Sequence, residues 1–321
     1  MEEKYSIYWM RFLAILLIVN SHFTAEAIKN FEQFGFYGQL GFFGNMIFVF
    51  ISAYILALGF KKYEKQVFKW LIYRLAYLLL IIVSLSIFFD LIAGKELVEI
   101  GSHLSYLLIG IRSIISVLVY LSLLFPLFYF FKKLRKAVAV LSFVGLFVFF
   151  LIFQGKCLTP GTTCIYILHT FSYFFIFQIG IIVAKKEVNF SFKKPLINTM
   201  FLGVFILLFI LAKVYFDNII VKLFIYTGAI LYLFYTLESF NLNRIPKIIN
   251  SGVSEIAKLS LYIYITHFTF VAFSYSISKY FALIVIFVIL VPVCYLESII
   301  LNPVIECIRK VTLQGAAKYK K

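Results

Sequence analysis

Charge is scarce in this chain of 321 residues: 14% are Asp, Glu, Lys or Arg, against roughly 25% in an ordinary soluble domain. Proline is rare too, at six residues, and no Gly/Ser-rich linker or long polar stretch divides the sequence. These absences argue against a tandem of soluble domains, and a single integral domain over residues 1–321, without a soluble second domain, is expected. Four cysteines are too few for a disulfide framework. No metal is expected, because no cysteine or histidine spacing of metal-binding type occurs, and GxGxxG, P-loop and GxSxG patterns are also absent. The N-terminal MEEKYSIYWM runs into an apolar segment with no small-residue cleavage site, so that segment reads as a first membrane span and not a signal peptide.

What the chain has in abundance is apolar surface, with 63% hydrophobic residues. A bilayer core about 30 Å thick needs roughly 20 apolar residues per helix, and dividing the chain at charged and Pro/Gly-containing segments gives ten such stretches. They fall at 7–25, 38–60, 70–92, 105–131, 137–154, 164–184, 196–215, 218–237, 257–276 and 280–302. The fourth is too long for one helix, and Arg112 marks where an interfacial piece ends before the span proper. The fold class is therefore all-α, a polytopic transmembrane helical bundle of about ten spans. The formal charge of +16 lies mostly in short basic runs between apolar segments, which fits cytoplasmic loops at a lipid bilayer and argues against nucleic acid. Counted over the loops, basic residues favour one side by about three to one, which predicts that both termini are cytoplasmic.

Ionisable residues inside spans are costly and draw attention first. Arg11 and His22 lie eleven residues apart in the first segment, about 16 Å of helix and close to three turns, so both fall on one stripe. Each also has a plain structural reading: a headgroup-seeking arginine, and a histidine bonded to a neighbouring carbonyl. Glu26 lies one turn beyond His22, where it either orients the ring or is an exposed acid. His267 is expected at a similar depth, either near the acceptor or as a packing histidine, and His103 and His169 have weaker cases. Glu297, an acid in the last span near the cytoplasmic side, is a candidate partner for Arg11 or Arg74. Ser52 and Asn45 in the second span suit hydrogen bonding between helices or a supporting role at a site. Cys157 and Cys164 bracket the turn LTPGTT in a loop placed outside, where a disulfide can form; Cys294 and Cys307 read as small apolar residues near the inner end of the last span.

The Arg11, ten residues, His22 spacing resembles the R-X10-H signature of the acyltransferase-3 family, polytopic membrane acyltransferases that modify bacterial surface glycans. GFFGNMIFVFISAYIL with Ser52, Arg74 in FKWLIYRLAYLL, VYLSLLFPLF, and SLYIYITHFTF with His267 are similar to later family segments in the same order. The chain departs from the pattern at Ala53, where a glycine is usual after the serine, at Met46, where a polar residue is frequent, and at Tyr77, where a second basic residue would be sought. The resemblance implies a stand-alone O-acetyltransferase of the bacterial inner (cytoplasmic) membrane. Its donor would be cytoplasmic acetyl-CoA or another acyl-CoA, used as co-substrate with no bound cofactor. Its acceptor would be a sugar hydroxyl of O-antigen, capsule or exopolysaccharide, on a polyprenyl-linked or polymeric glycan. On this reading Arg11 and Arg74 bind the donor, and His22 is a general base or a transient acyl carrier. The alternative is a transporter or exporter of a glycan or lipid-linked intermediate without covalent chemistry, although no internal repeat between the halves supports it.

Overall fold

In the computed structural model, the residues described are 5–27, 36–63, 66–92, 96, 99, 114–152, 163–187, 195–215, 219–273 and 289–314, and among them every regular element is a helix. Long apolar runs dictate this, because in lipid each backbone N–H and C=O must be satisfied within its own segment. The first half of the chain forms α1 (Tyr5–Ala27), α2 (Phe36–Lys62), α3 (Val67–Ile92), α4 (Ile114–Phe130) and α5 (Lys132–Ile152). The second half forms α6 (Thr163–Ala184), α7 (Pro195–Tyr215), α8 (Ile219–Ser239), α9 (Lys247–Lys258), α10 (Ser260–Phe273) and α11 (Val291–Arg309), closed by a π turn at Lys310–Gln314.

Among the described residues, five helical stretches are long and apolar enough to cross a membrane: Leu40–Lys62, Val67–Phe88, Ile167–Ala184, Val221–Ser239 and Val291–Leu313. Tyr5–Ser21, Val117–Phe130 and Pro195–Leu211 are shorter apolar helices. The fourth segment forms a helix over Ile114–Phe130 with Pro126 inside it, in line with a span proper that follows Arg112. Two of the expected segments differ from what the sequence suggested. The ninth is broken at Leu259: Ala257 and Lys258 belong to α9, a separate amphipathic helix that starts after Pro246 and buries Asn250, Val253 and Ala257. The last span runs through Pro303 to Arg309, seven residues past its expected end. A proline costs its helix one donor and some steric relief, and surrounding helices compensate for that in a bundle.

Close approach between helices sets the packing. α1 lies along α2, α2 along α6, α5 along α6 and α7 along α8. A Cβ placed on Gly44 of α2 would meet Ala14 O of α1 at 2.9 Å, and one on Gly180 of α6 would meet Phe50 O of α2 at 2.6 Å. Ala53 is fully buried, and the same added Cβ on Gly180 would come within 2.9 Å of it. The clearance that a glycine at position 53 would give is thus supplied from the facing helix, which accounts for the departure at Ala53.

Helix ends at one pole of the bundle are fixed by charge. Arg135, at the start of α5, is completely buried; its guanidinium donates to Phe128 O and Tyr129 O, the terminal carbonyls of α4, and pairs with Glu187. Lys185 donates to the same Tyr129 O at 2.9 Å and sits 4.0 Å over the Tyr129 ring. Cations here satisfy carbonyls that a helix leaves without internal partners. Glu187 is delivered by a Schellman turn, with Glu187 N donating to Ile182 O (3.1 Å) and Lys186 N to Val183 O (3.0 Å), Lys186 adopting φ 53°. Arg135 is thus a buried structural residue within a basic run.

Candidate functional site

A cavity of about 530 Å³ opens between α1, α2, α3, α4, α10 and α11, near the pole at which α1 begins and α2 ends. Its wall includes Arg11 from α1, Ser52 from α2, Arg74 from α3, Ser122 from α4, Tyr262 from α10 and Asn302 from α11. Glu255 and Lys258, at the end of α9, line its rim. The alternating helix directions explain the convergence: Arg11 and Arg74 lie six and seven residues into their helices, and Asn302 seven residues before the end of its own. At 1.5 Å per residue these positions share a depth of about 10 Å below the pole.

Two arginines in one membrane cavity are the dominant electrostatic feature. Arg74 lies 5.5 Å from the centre of the Tyr77 ring and forms no ion pair among the described residues. Tyr77 thus supplies an aromatic face at the position where the sequence lacks a second basic residue. Among the described residues no group of His, Cys, Asp and Glu is arranged to hold a metal ion. A cavity of this size, lined by two guanidiniums, four tyrosines and several serine hydroxyls, has the chemistry to receive an anionic ligand that has a polar body.

The remaining candidate residues divide. His22 and Glu26 are on the last two turns of α1, but their side chains lie outside the described residues, as do Cys157, Cys164 and His103. His267 is fully buried on α10, with Nδ1 3.2 Å from Ile263 O. A carbonyl can only accept, so Nδ1 carries a proton in that contact. His267 is five residues beyond Tyr262, about 7–8 Å further along the helix than the cavity wall. Asn45 Nδ2 donates across to Tyr173 Oη of α6 at 3.4 Å, holding two helices together. His169 stacks on Phe42, ring centres 4.1 Å apart.

Glu297 is placed differently from its expected position. It is buried, accepts from Thr266 Oγ1 at 3.3 Å and lies beside the buried Cys294, forming no ion pair with Arg11 or Arg74. The reason is the length of α11: continuation to Arg309 sets Glu297 and Cys294 deeper in the bundle than a helix ending at residue 302 would. Its neighbour Ser298 takes the place on the cavity wall.

Sequence reasoning missed α9. Trp9 Nε1 donates to Asn250 Oδ1 at 3.1 Å, and Asn250 Nδ2 donates to Leu242 O at 2.7 Å. These bonds seat α9 on α1 two residues before Arg11. The available signal was Pro246 followed by an alternation of polar and apolar residues at helical period, KIINSGVSEIAK.

Fold and cavity define a helical membrane protein with a cationic vestibule. The chain belongs to the acyltransferase-3 family: that family's model, an acyltransferase domain, matches residues 4–302. No curated protein and no solved structure matches the chain. The protein is accordingly a membrane acyltransferase in general class.

Proposed function

We propose that this protein is an O-acetyltransferase of the bacterial cytoplasmic membrane, carrying acetyl from cytoplasmic acetyl-CoA to a sugar hydroxyl of a surface polysaccharide. The observation that carries this reading is the shared opening of Arg11 and Arg74, 63 positions apart in sequence, into one cavity of about 530 Å³. The same pole carries Lys61, Lys62, Lys69, Lys132, Lys133, Lys185 and Arg309, and the positive-inside rule makes that pole cytoplasmic in a bundle of about ten spans with both termini on that side. The guanidiniums bind the polar arm of the donor where it passes into the cavity. The acyl arm extends along α1 towards His22, about 16 Å beyond Arg11.

There the imidazole of His22 takes the proton of the sugar hydroxyl while the sugar oxygen attacks the thioester carbonyl. The carbon–sulfur bond breaks, coenzyme A leaves as the thiolate and is protonated, and the ester remains on the glycan. In a two-step variant the imidazole carries the acyl group first. The acceptor is an O-antigen, capsule or exopolysaccharide unit presented on a polyprenyl lipid or already polymerised.

The test compares surface polysaccharide from a deletion strain complemented with wild type or with His22→Ala, by proton NMR before and after mild alkali. Ester signals should return only with wild type, at equal membrane levels of both proteins. Unchanged esters in the deletion strain, with polysaccharide reduced at the surface, would replace this function with export.

A further inference from the structure

The rim of the cavity holds a third cation beside Arg11 and Arg74. Lys258 closes α9 and is paired with Glu255 one turn earlier, Nζ to Oε1 2.7 Å, with both side chains about half exposed (51% and 55%). Both residues line the cavity that Arg11 and Arg74 enter. α9 is held in place there by the Trp9–Asn250 bond and by the cap that Asn250 makes on Leu242 O. An exposed pair three residues apart on a helix is a weak, solvent-screened interaction, so it exchanges readily for a better partner. A phosphate, with up to two charges and several acceptor oxygens, is such a partner.

We infer that Lys258 is the phosphate-selecting residue at the mouth of the donor cavity, and that Glu255 is its resting counter-ion, displaced when a phosphate-bearing thioester enters. This rests on the donor reading above. Arg11 and Arg74 sit inside the cavity, at the level of the acyl arm, whereas Lys258 sits on its rim, where the nucleotide end of an extended thioester remains. Lys258 therefore separates phosphate-bearing donors from the same thioester without phosphates. Glu255 sets the affinity from the other direction, because it competes with phosphate for one ammonium group.

The experiment uses the purified full chain in detergent. Acetyl-CoA affinity is measured by titration at several salt concentrations, and S-acetylpantetheine affinity by competition in the same samples. Lys258→Met should weaken acetyl-CoA roughly three- to tenfold and flatten its salt dependence, with S-acetylpantetheine unchanged, and Lys258→Arg should retain most of the affinity. Glu255→Gln should tighten acetyl-CoA about two- to threefold. Equal weakening of both ligands by Lys258→Met would overturn the inference, since it would mark a structural role for the lysine. So would wild-type affinity in Lys258→Met alongside a loss in Arg74→Ala, which would leave the donor reading intact. No change in Glu255→Gln removes the counter-ion role. A wild-type protein that binds no acetyl-CoA overturns the donor reading itself, and this inference with it.

Discussion

A guanidinium cannot shed its proton to escape a membrane cavity, so its presence there has to be compensated by ligands, rings or water. For Arg74 the visible compensation is the Tyr77 ring. Arg74→Ala should therefore raise the acetyl-CoA concentration needed for half-maximal transfer about tenfold or more, the cost of losing a hydrogen-bonded charge contact of about 1.5–3 kcal/mol. Arg74→Lys should recover only part, because an ammonium lacks the planar fork and stacks less well. Initial-rate kinetics against donor and acceptor in turn would check this; an effect confined to the acceptor would contradict the assignment. His267 differs in kind. Its bond to Ile263 O lies within its own helix, a local arrangement that the sequence spacing of four residues already contains.

Helix ends show how a local rule and a tertiary one meet. Lys186 holds a left-handed conformation at the end of α6, a place where glycine avoids the Cβ clash. Lys186→Gly should stabilise the protein by about 1 kcal/mol, seen as a higher melting temperature in detergent. The opposite result is expected one element away. Arg135→Ala removes the cation from two terminal carbonyls of α4 and from Glu187, leaving a nearly buried carboxylate unpaired. Loss of about 3–5 kcal/mol should follow, read as a fall in folded monodisperse protein on size exclusion. Nothing in the basic run KKLRK singles out its arginine over its lysines. Burial of that one residue depends on the turn at the end of α6, more than fifty positions later.

Across the whole molecule, stability rests on how closely the helices approach, since lipid gives no hydrophobic drive between apolar surfaces. Gly180→Val would force α6 away from Phe50 O and Ala53 on α2, and an overpacking cost of about 1–3 kcal/mol is expected. Thermal denaturation followed by size exclusion would measure it. A paired Ala53→Gly should relieve part of the loss if the two positions share one clearance, and an additive result would separate them. The cavity depends on the same contacts, because its six helices come from both ends of the chain.

Membrane residence and all-helical structure were legible in the sequence, because each follows from local composition or from helical period within one segment. So was the concentration of basic residues in particular loops. Tertiary structure alone decided that Arg74, Ser52 and Lys258 meet Arg11 at one cavity, and that Glu297 stays out of it. It alone separated α9 from the span that follows and buried Arg135. These outcomes depend on depth and rotation of helices distant in the chain, and small residues such as Gly44 and Gly180 set those quantities only once a partner helix is present.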